Sequence, residues 1–300
     1  MLSRKVISFV LGTFNRKKML KLTVDSIRRE ADGIDSEIIV VDGGSTDGTI
    51  NWLTKQKDIV SVIQHNRGNW KGKKIRSRSW GYFMNLGFKC AQGKYVCMLS
   101  DDCLLVPGAV KNSLDLIEEK LNQGEKIGGC AFYYRSWPNE KKYYVSKIFG
   151  KTINVNHGLF LKEALEMVNY ADEDNFSFYF ADVDLSLRIS KAGYSIIDSP
   201  DSFVEHTIHA DIFTRKSNIS KSDEDFYNFR VKWGRELSSM KKDSILERKE
   251  VYFIDQYKTV NAFSLMSQLK RLNFKYAFAR LKSVIKIRER IKKLKNLDVN

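Results

Sequence analysis

Apolar residues run almost unbroken through Val6-Ile7-Ser8-Phe9-Val10-Leu11, stop at Gly12-Thr13-Phe14-Asn15, and recur with helical spacing from about Lys17 to Arg29. Glu37-Ile38-Ile39-Val40-Val41-Asp42 repeats the scheme, with Gly43-Gly44-Ser45-Thr46-Asp47-Gly48 as its break and another helix behind it. Ile59 to Ile63 predicts a third strand, followed by a polar loop rich in Gly, Lys and Arg from Asn66 to Arg78. A helix from about Trp80 to Cys90 comes next. Tyr95-Val96-Cys97-Met98-Leu99 predicts a fourth strand that ends at Ser100-Asp101-Asp102, and Pro107-Gly108 marks a loop re-entering a helix.

Strands this uniformly apolar are buried on both faces, so their alternation with helices predicts an α/β fold with a mostly parallel sheet. Ligands bind such sheets at the carboxyl ends of the strands. Thr13-Phe14-Asn15, Asp42 and Asp101-Asp102 all fall at that edge.

Further along, Ile127 to Tyr144 is strand-like and aromatic, and Asn156-His157-Gly158-Leu159-Phe160-Leu161 leads into a helix through Val168. The segment Asp172 to Phe180 reads as a loop delivering Asp182 to its helix, with Asp182 as the N-cap. Tyr194 to Ile197 and Ser202 to Glu205 predict two short strands, with His206 and His209 beyond them. A polar stretch from Arg215 to Asp223 then separates a remainder that is expected to be helical. These signals divide the chain into a catalytic part, 1–215, and a basic helical extension, 216–300.

With 300 residues and 43% apolar content, the chain has enough material for a substantial core. The net charge of +15 is uneven, because residues 216–300 hold 21 Lys/Arg against 10 Asp/Glu. Cys90, Cys97, Cys103 and Cys130 lie in or beside apolar runs without a CxxC pair, so they read as reduced core thiols of a cytoplasmic protein, not as a zinc framework. The N-terminal apolar run is too short for a signal peptide or a membrane span, and no later window reaches eighteen apolar residues. A soluble catalytic part is therefore expected, with any membrane contact peripheral.

Adjacent carboxylates such as Asp101-Asp102 offer hard oxygen ligands for a divalent cation, although the pair also suits a turn. Asp42 at its strand end can accept hydrogen bonds from a base or ribose. No GxGxxG follows the first strand and no GxxxxGK[ST] occurs, so dinucleotide and P-loop sites are not indicated. Asp184 and Arg188 stand four apart and read as a helix-face ion pair that supports the scaffold. Asp182, in contrast, follows the aromatic run Phe176, Phe178, Tyr179, Phe180, a surround that makes a carboxylate a better general base. His206 lies where a nitrogen ligand can complete a metal shell, with His209 its competitor, whereas His65 and His157 read as structural.

In order along the chain, these motifs resemble a family 2 inverting glycosyltransferase with the nucleotide-diphosphosugar-binding A-type fold. Thr13-Phe14-Asn15-Arg16 resembles the first nucleotide-contacting loop, and Val41-Asp42-Gly43-Gly44-Ser45-Thr46-Asp47-Gly48-Thr49 the VDxGSTDGT segment. Asn85-Leu86-Gly87 with Ala91-Gln92-Gly93-Lys94-Tyr95 resembles the NxG…AxGxY stretch, Ser100-Asp101-Asp102 the DxD position, and Asp182 to Arg188 the EDxDLxxR block. The resemblance implies a Rossmann-like central sheet and a donor site of Thr13, Phe14, Asn15, Asp42, Asn85 and Asp101. It also implies a Mn2+ or Mg2+ ion on Asp102 and His206, and Asp182 as the base that deprotonates an acceptor hydroxyl. The expected donor is a nucleoside-diphosphate sugar of UDP or dTDP type, and the expected acceptor a glycan or lipid-linked glycan of cell-surface polysaccharide or glycolipid assembly.

Three positions depart from the pattern. Ser100 replaces the first Asp of DxD, Ala181 the acid before the base, and Met84 an Arg before the Asn. The lost phosphate contact is then expected from Lys71, Lys73, Lys74, Arg76 or Arg78. These departures also fit an inactive sugar-nucleotide-binding subunit.

Between Lys270 and Lys295 eleven basic residues and one acid, Glu289, are interspersed with apolar positions. Such a stretch suits either a solvated helix with a core stripe or peripheral contact with the anionic inner face of a cell membrane. Charge alone would also fit nucleic-acid binding, but no reader motif occurs and the acidic edge opposes it.

Overall fold

The structure, a computed structural model, describes residues 6–136, 142–149, 151–207 and 220–238, and the backbone of 244–248. Its helices are α1 (Lys17–Glu30), α2 (Thr49–Leu53), α3 (Trp80–Cys90), α4 (Ala109–Asn122), α5 (Lys162–Met167), α6 (Ala181–Lys191) and α7 (Ser222–Ser238). Its first strands are β1 (Ile7–Thr13), β2 (Ser36–Asp42), β3 (Ile59–Ile63), β4 (Asn69–Trp70), β5 (Lys73–Lys74), β6 (Tyr95–Ser100) and β7 (Cys103–Leu105). The later ones are β8 (Ile127–Ser136), β9 (Tyr143–Ile148), β10 (Thr152–Ile153), β11 (Gly158–Leu161), β12 (Ser195–His206) and β13 (Ser244–Arg248).

The main path of the sheet runs β10-β9-β8-β11-β6-β1-β2-β3. Strands β3, β2, β1 and β6 are parallel neighbours. Their carboxyl ends form one edge, as the apolar runs predicted. Beyond them the sheet is mixed, because β11 enters antiparallel between β6 and β8. The polar loop after β3 folds into the β4–β5 hairpin.

Alternate residues of β1 feed two cores. Ile7, Phe9 and Leu11 pack with α1 and α4, whereas Val10 packs with α3, α5 and α6 on the opposite face. That two-sided burial explains why the strand carries no polar alternation. Close approach of α3 needs Gly87, since a Cβ there would stand 2.4 Å from Val10 Cγ1.

Two predicted strands, Tyr194–Ile197 and Ser202–Glu205, are one strand, β12, paired parallel with β8. The register shifts between Ser199 and Phe203, around Pro200, which has no N–H for the ladder; that break made one strand look like two. Farther along, Arg135 of β8 and Glu205 of β12 form a fully buried bidentate pair at 2.6 and 2.7 Å, and the Tyr143 hydroxyl donates to the same carboxylate.

The remainder expected to be helical contains a strand as well, β13, which adds to β9. Phe229 and Trp233 of α7 join Phe176, Ala181 and Leu187 in a third core cluster. The stretch 270–295 and His209 lie outside the described residues.

Candidate donor and catalytic site

The carboxyl ends of β1 and β6, the loop before α6 and the end of β12 enclose a cleft of about 450 Å³. Its floor is acidic. Thr13 Oγ1 donates to Asp101 Oδ2 at 2.7 Å, and Arg16 Nη1 donates to Asp101 Oδ1 at 2.7 Å and Asp102 Oδ2 at 3.0 Å. His206 Nε2 stands 3.3 Å from Asp102 Oδ1, an atom that is buried yet makes no hydrogen bond among the described residues. Strand pairing sets this contact, because His206 is the register partner of Cys103 and Thr207 donates twice to the Asp102 carbonyl.

Burial opposes charge on Asp102, but His206 and Arg16 beside it outweigh burial and hold its carboxyl well below the usual carboxylate range. Burial and the neighbouring Asp102 charge push Asp101 up against the pull of Arg16 and Thr13. Burial likewise opposes charge on His206, and the Asp102 carboxylate overcomes it. The second histidine, His157, is pushed down to about 3 by burial and by His206, so its imidazole is neutral. His157 Nε2 lies 3.5 Å from Cys103 Sγ, and one ligand atom from each of Cys103, His157 and His206 falls within 4.8 Å of the others.

Across the cleft, Asp182 lies in the first turn of α6. It is not the N-cap predicted for it: Phe180 takes that position, at φ 63°, and no side chain caps the helix. Asn156 Nδ2 at 2.9 Å and Asn154 Nδ2 at 3.3 Å donate to Asp182 Oδ2. A left-handed Phe is strained, and two contacts from α7 fix it. Asp225, fully buried, accepts the backbone N–H groups of Ser177, Phe178 and Tyr179 at 2.6, 2.9 and 2.8 Å, while Phe229 stacks on the Phe180 ring at 5.1 Å.

Thr13, Phe14, Asp101, Asp102, Asp182 and His206 therefore share one cleft. The other predicted residues stand behind its walls. Asn15 is exposed and ties two loops together, donating its N–H to Ser45 Oγ and accepting from the Thr46 N–H. Asp42 is fully buried; its Oδ1 accepts from the Gly44 and Ser45 N–H groups, and its Oδ2 is unpartnered among the described residues. The turn needs Gly44, at φ 87°, where a Cβ would meet His65 Nδ1 at 2.5 Å.

Asn85 is spent on the loop after α5, donating to Ala171 O and Glu173 Oε1 and accepting from Ala171 N. Asp184 is more than a surface partner of Arg188: fully buried, it also accepts from Trp233 Nε1 at 2.9 Å and pairs with Lys232 at 2.8 Å.

The main residue passed over is Arg16, although it follows Asn15 directly in the first loop. Of the five basic residues expected to replace the lost phosphate contact, Arg78 lines the cleft, and Arg67 joins it with its guanidinium 4.4 Å from the Phe14 ring centre.

Residues 8–159 match the family described as Glycosyl transferase family 2. Among curated proteins, the chain is 24% identical over 234 residues to UDP-Glc:alpha-D-GlcNAc-diphosphoundecaprenol beta-1,3-glucosyltransferase WfaP of Escherichia coli, covering 73% of this chain and 86% of that one. The S. aureus TarS 1-349 structure in complex with UDP-GlcNAc superposes with a TM-score of 0.53 at 15% identity, covering 69% of this chain and 59% of that one. A mannosyltransferase from Pyrobaculum calidifontis, solved with GDP-Man and Mn2+, gives 0.52 at 14% identity, covering 97% and 88%. Both structures share the fold.

Proposed function

Because the chain belongs to glycosyl transferase family 2, we propose that this cleft carries out an inverting transfer of a sugar from a UDP-type donor to a hydroxyl of a lipid-linked glycan. The observation that carries the proposal is the meeting in one cleft of an asparagine-held carboxylate, Asp182, with the Asp101-Asp102-His206 floor. Asp182 accepts the proton of the acceptor hydroxyl as that oxygen attacks the anomeric carbon, and Asn154 and Asn156 hold its carboxylate in place. On the other side, Arg16, Arg67 and Arg78 face the negative charge that gathers on the leaving diphosphate. Phe14, which lines the cleft, is assigned to the nucleotide base, and Asp42 to holding the Gly44–Ser45 turn behind it.

The residues at Asp102 fit a divalent cation, since a buried carboxylate oxygen that makes no hydrogen bond among the described residues and an imidazole nitrogen 3.3 Å away are an oxygen and nitrogen donor pair. When bound, Mn2+ or Mg2+ supplies further positive charge for the diphosphate. The substrate named for the Escherichia coli relative, a diphosphoundecaprenol-linked sugar, supports a lipid-linked acceptor here as well. A lipid-linked acceptor lies at a membrane, and on that ground we assign the protein to peripheral contact with the inner membrane face.

Asp182→Asn is expected to lower sugar transfer from UDP-sugars by about 10²- to 10⁴-fold with an unchanged melting temperature. Radiolabelled transfer to a lipid-linked acceptor measures it, and a variant as fast as wild type would defeat the reading.

A further inference from the structure

We propose that Cys103, His157 and His206 form a binding site for a thiophilic divalent cation such as zinc, and that its occupancy withdraws His206 from the donor cleft. One sulfur and two imidazoles select zinc over Mg2+ or Mn2+, which prefer oxygen. Their ligand atoms already fall within 4.8 Å of one another. The Cys103 Sγ to His157 Nε2 distance, 3.5 Å, equals the sulfur-to-nitrogen edge of about 3.5 Å that tetrahedral zinc bond lengths imply.

The three residues are held by backbone pairing and not by a flexible loop. Cys103 and His206 are register partners across β7 and β12, and the His157 carbonyl accepts the Phe132 N–H of β8. Cys103 and His157 are buried, while His206 lines the cleft and gives a cation its way in. The carboxylate of Asp102 beside His206 orients the ring, as carboxylates commonly do for metal-bound histidine. Binding converts the Cys103 S–H to a metal-bound thiolate and releases one proton to solvent.

The consequence for sugar transfer rests on the role proposed above for His206. The binding itself does not.

Cobalt(II) is the probe, titrated into the full chain under reducing conditions with no donor or acceptor present. A Cys90→Ser background removes the exposed thiol. An ultraviolet thiolate-to-cobalt charge-transfer band that saturates at equimolar cobalt and is bleached by zinc is expected. Cys103→Ser should abolish the band, whereas Cys97→Ser and Cys130→Ser should keep it. His157→Gln should weaken cobalt binding by more than the about 10- to 100-fold that losing an outer-shell partner costs, and it decides the matter if Cys103→Ser does not fold. No band in the wild-type chain, a band surviving in folded Cys103→Ser, or unchanged affinity in His157→Gln would each overturn the site. Zinc should slow transfer once bound, and much less in Cys103→Ser. Transfer indifferent to zinc while the cobalt band forms would overturn the withdrawal of His206 alone.

Discussion

At the scale of single residues, Arg16 shows what local pattern leaves out. The sequence offers Asp101 and Asp102 as acidic residues at a strand end, but does not show that a guanidinium bridges them, because the bridge spans 85 and 86 positions. Removing it leaves two buried carboxylates facing each other. Arg16→Met is therefore expected to lose about 3–5 kcal/mol of stability and to recover much of it on adding Mn2+. Thermal melts with and without Mn2+ would show this as a larger metal-induced rise in the variant than in wild type, and equal rises would refute it. Asp184 teaches a similar lesson. Its pairing with Arg188 is legible from helical spacing, whereas its bonds to Lys232 and Trp233 are not, since they reach into a segment whose charge suggested a separate extension.

Among elements, α7 contributes most that the pattern concealed. Three backbone N–H groups converge on Asp225 just ahead of Phe180, so a helix from beyond the matched family region sets the entry of α6 and with it the direction of Asp182. Misplacing a catalytic group by about 1 Å costs about 10²-fold in rate. Asp225→Ala should accordingly lower kcat on that order with a smaller change in donor KM, and Asp225→Asn should restore part of it. Steady-state kinetics on both variants checks the split, and a change confined to KM would count against it. The strands β1, β2, β3 and β6 were readable because burial on two faces writes a continuous apolar run. In contrast, β12 was read as two strands because Pro200 interrupts the pattern without ending the pairing with β8.

For the whole molecule, the parallel half of the sheet and the shared edge formed by its carboxyl ends are legible, while long-range ties between chain segments are not. One such tie makes stability depend on pH. Burial would raise the Asp172 carboxyl, but hydrogen bonds from Lys232 and Asn175 prevail and bring it to about 2. A carboxyl depressed in the folded state stabilises above its unfolded value, and the contribution fades as pH falls toward 2. Between pH 5 and pH 2 the protein should lose up to about 2 kcal/mol from this group, and Lys232→Met should flatten much of that slope in denaturant titrations. A slope unchanged in the variant would remove the tie from the account. The Arg135–Glu205 pair has a different reach. It fastens the two ends of a 70-residue stretch that contains α6 and Asp182, and neither charge can stay buried alone. The two strands it joins are therefore expected to open together, and amide protons of β8 and β12 should exchange with solvent at a common, slow rate set by global unfolding. The carboxylate proposed as the base thus sits in a stretch of chain closed at its root by that buried pair.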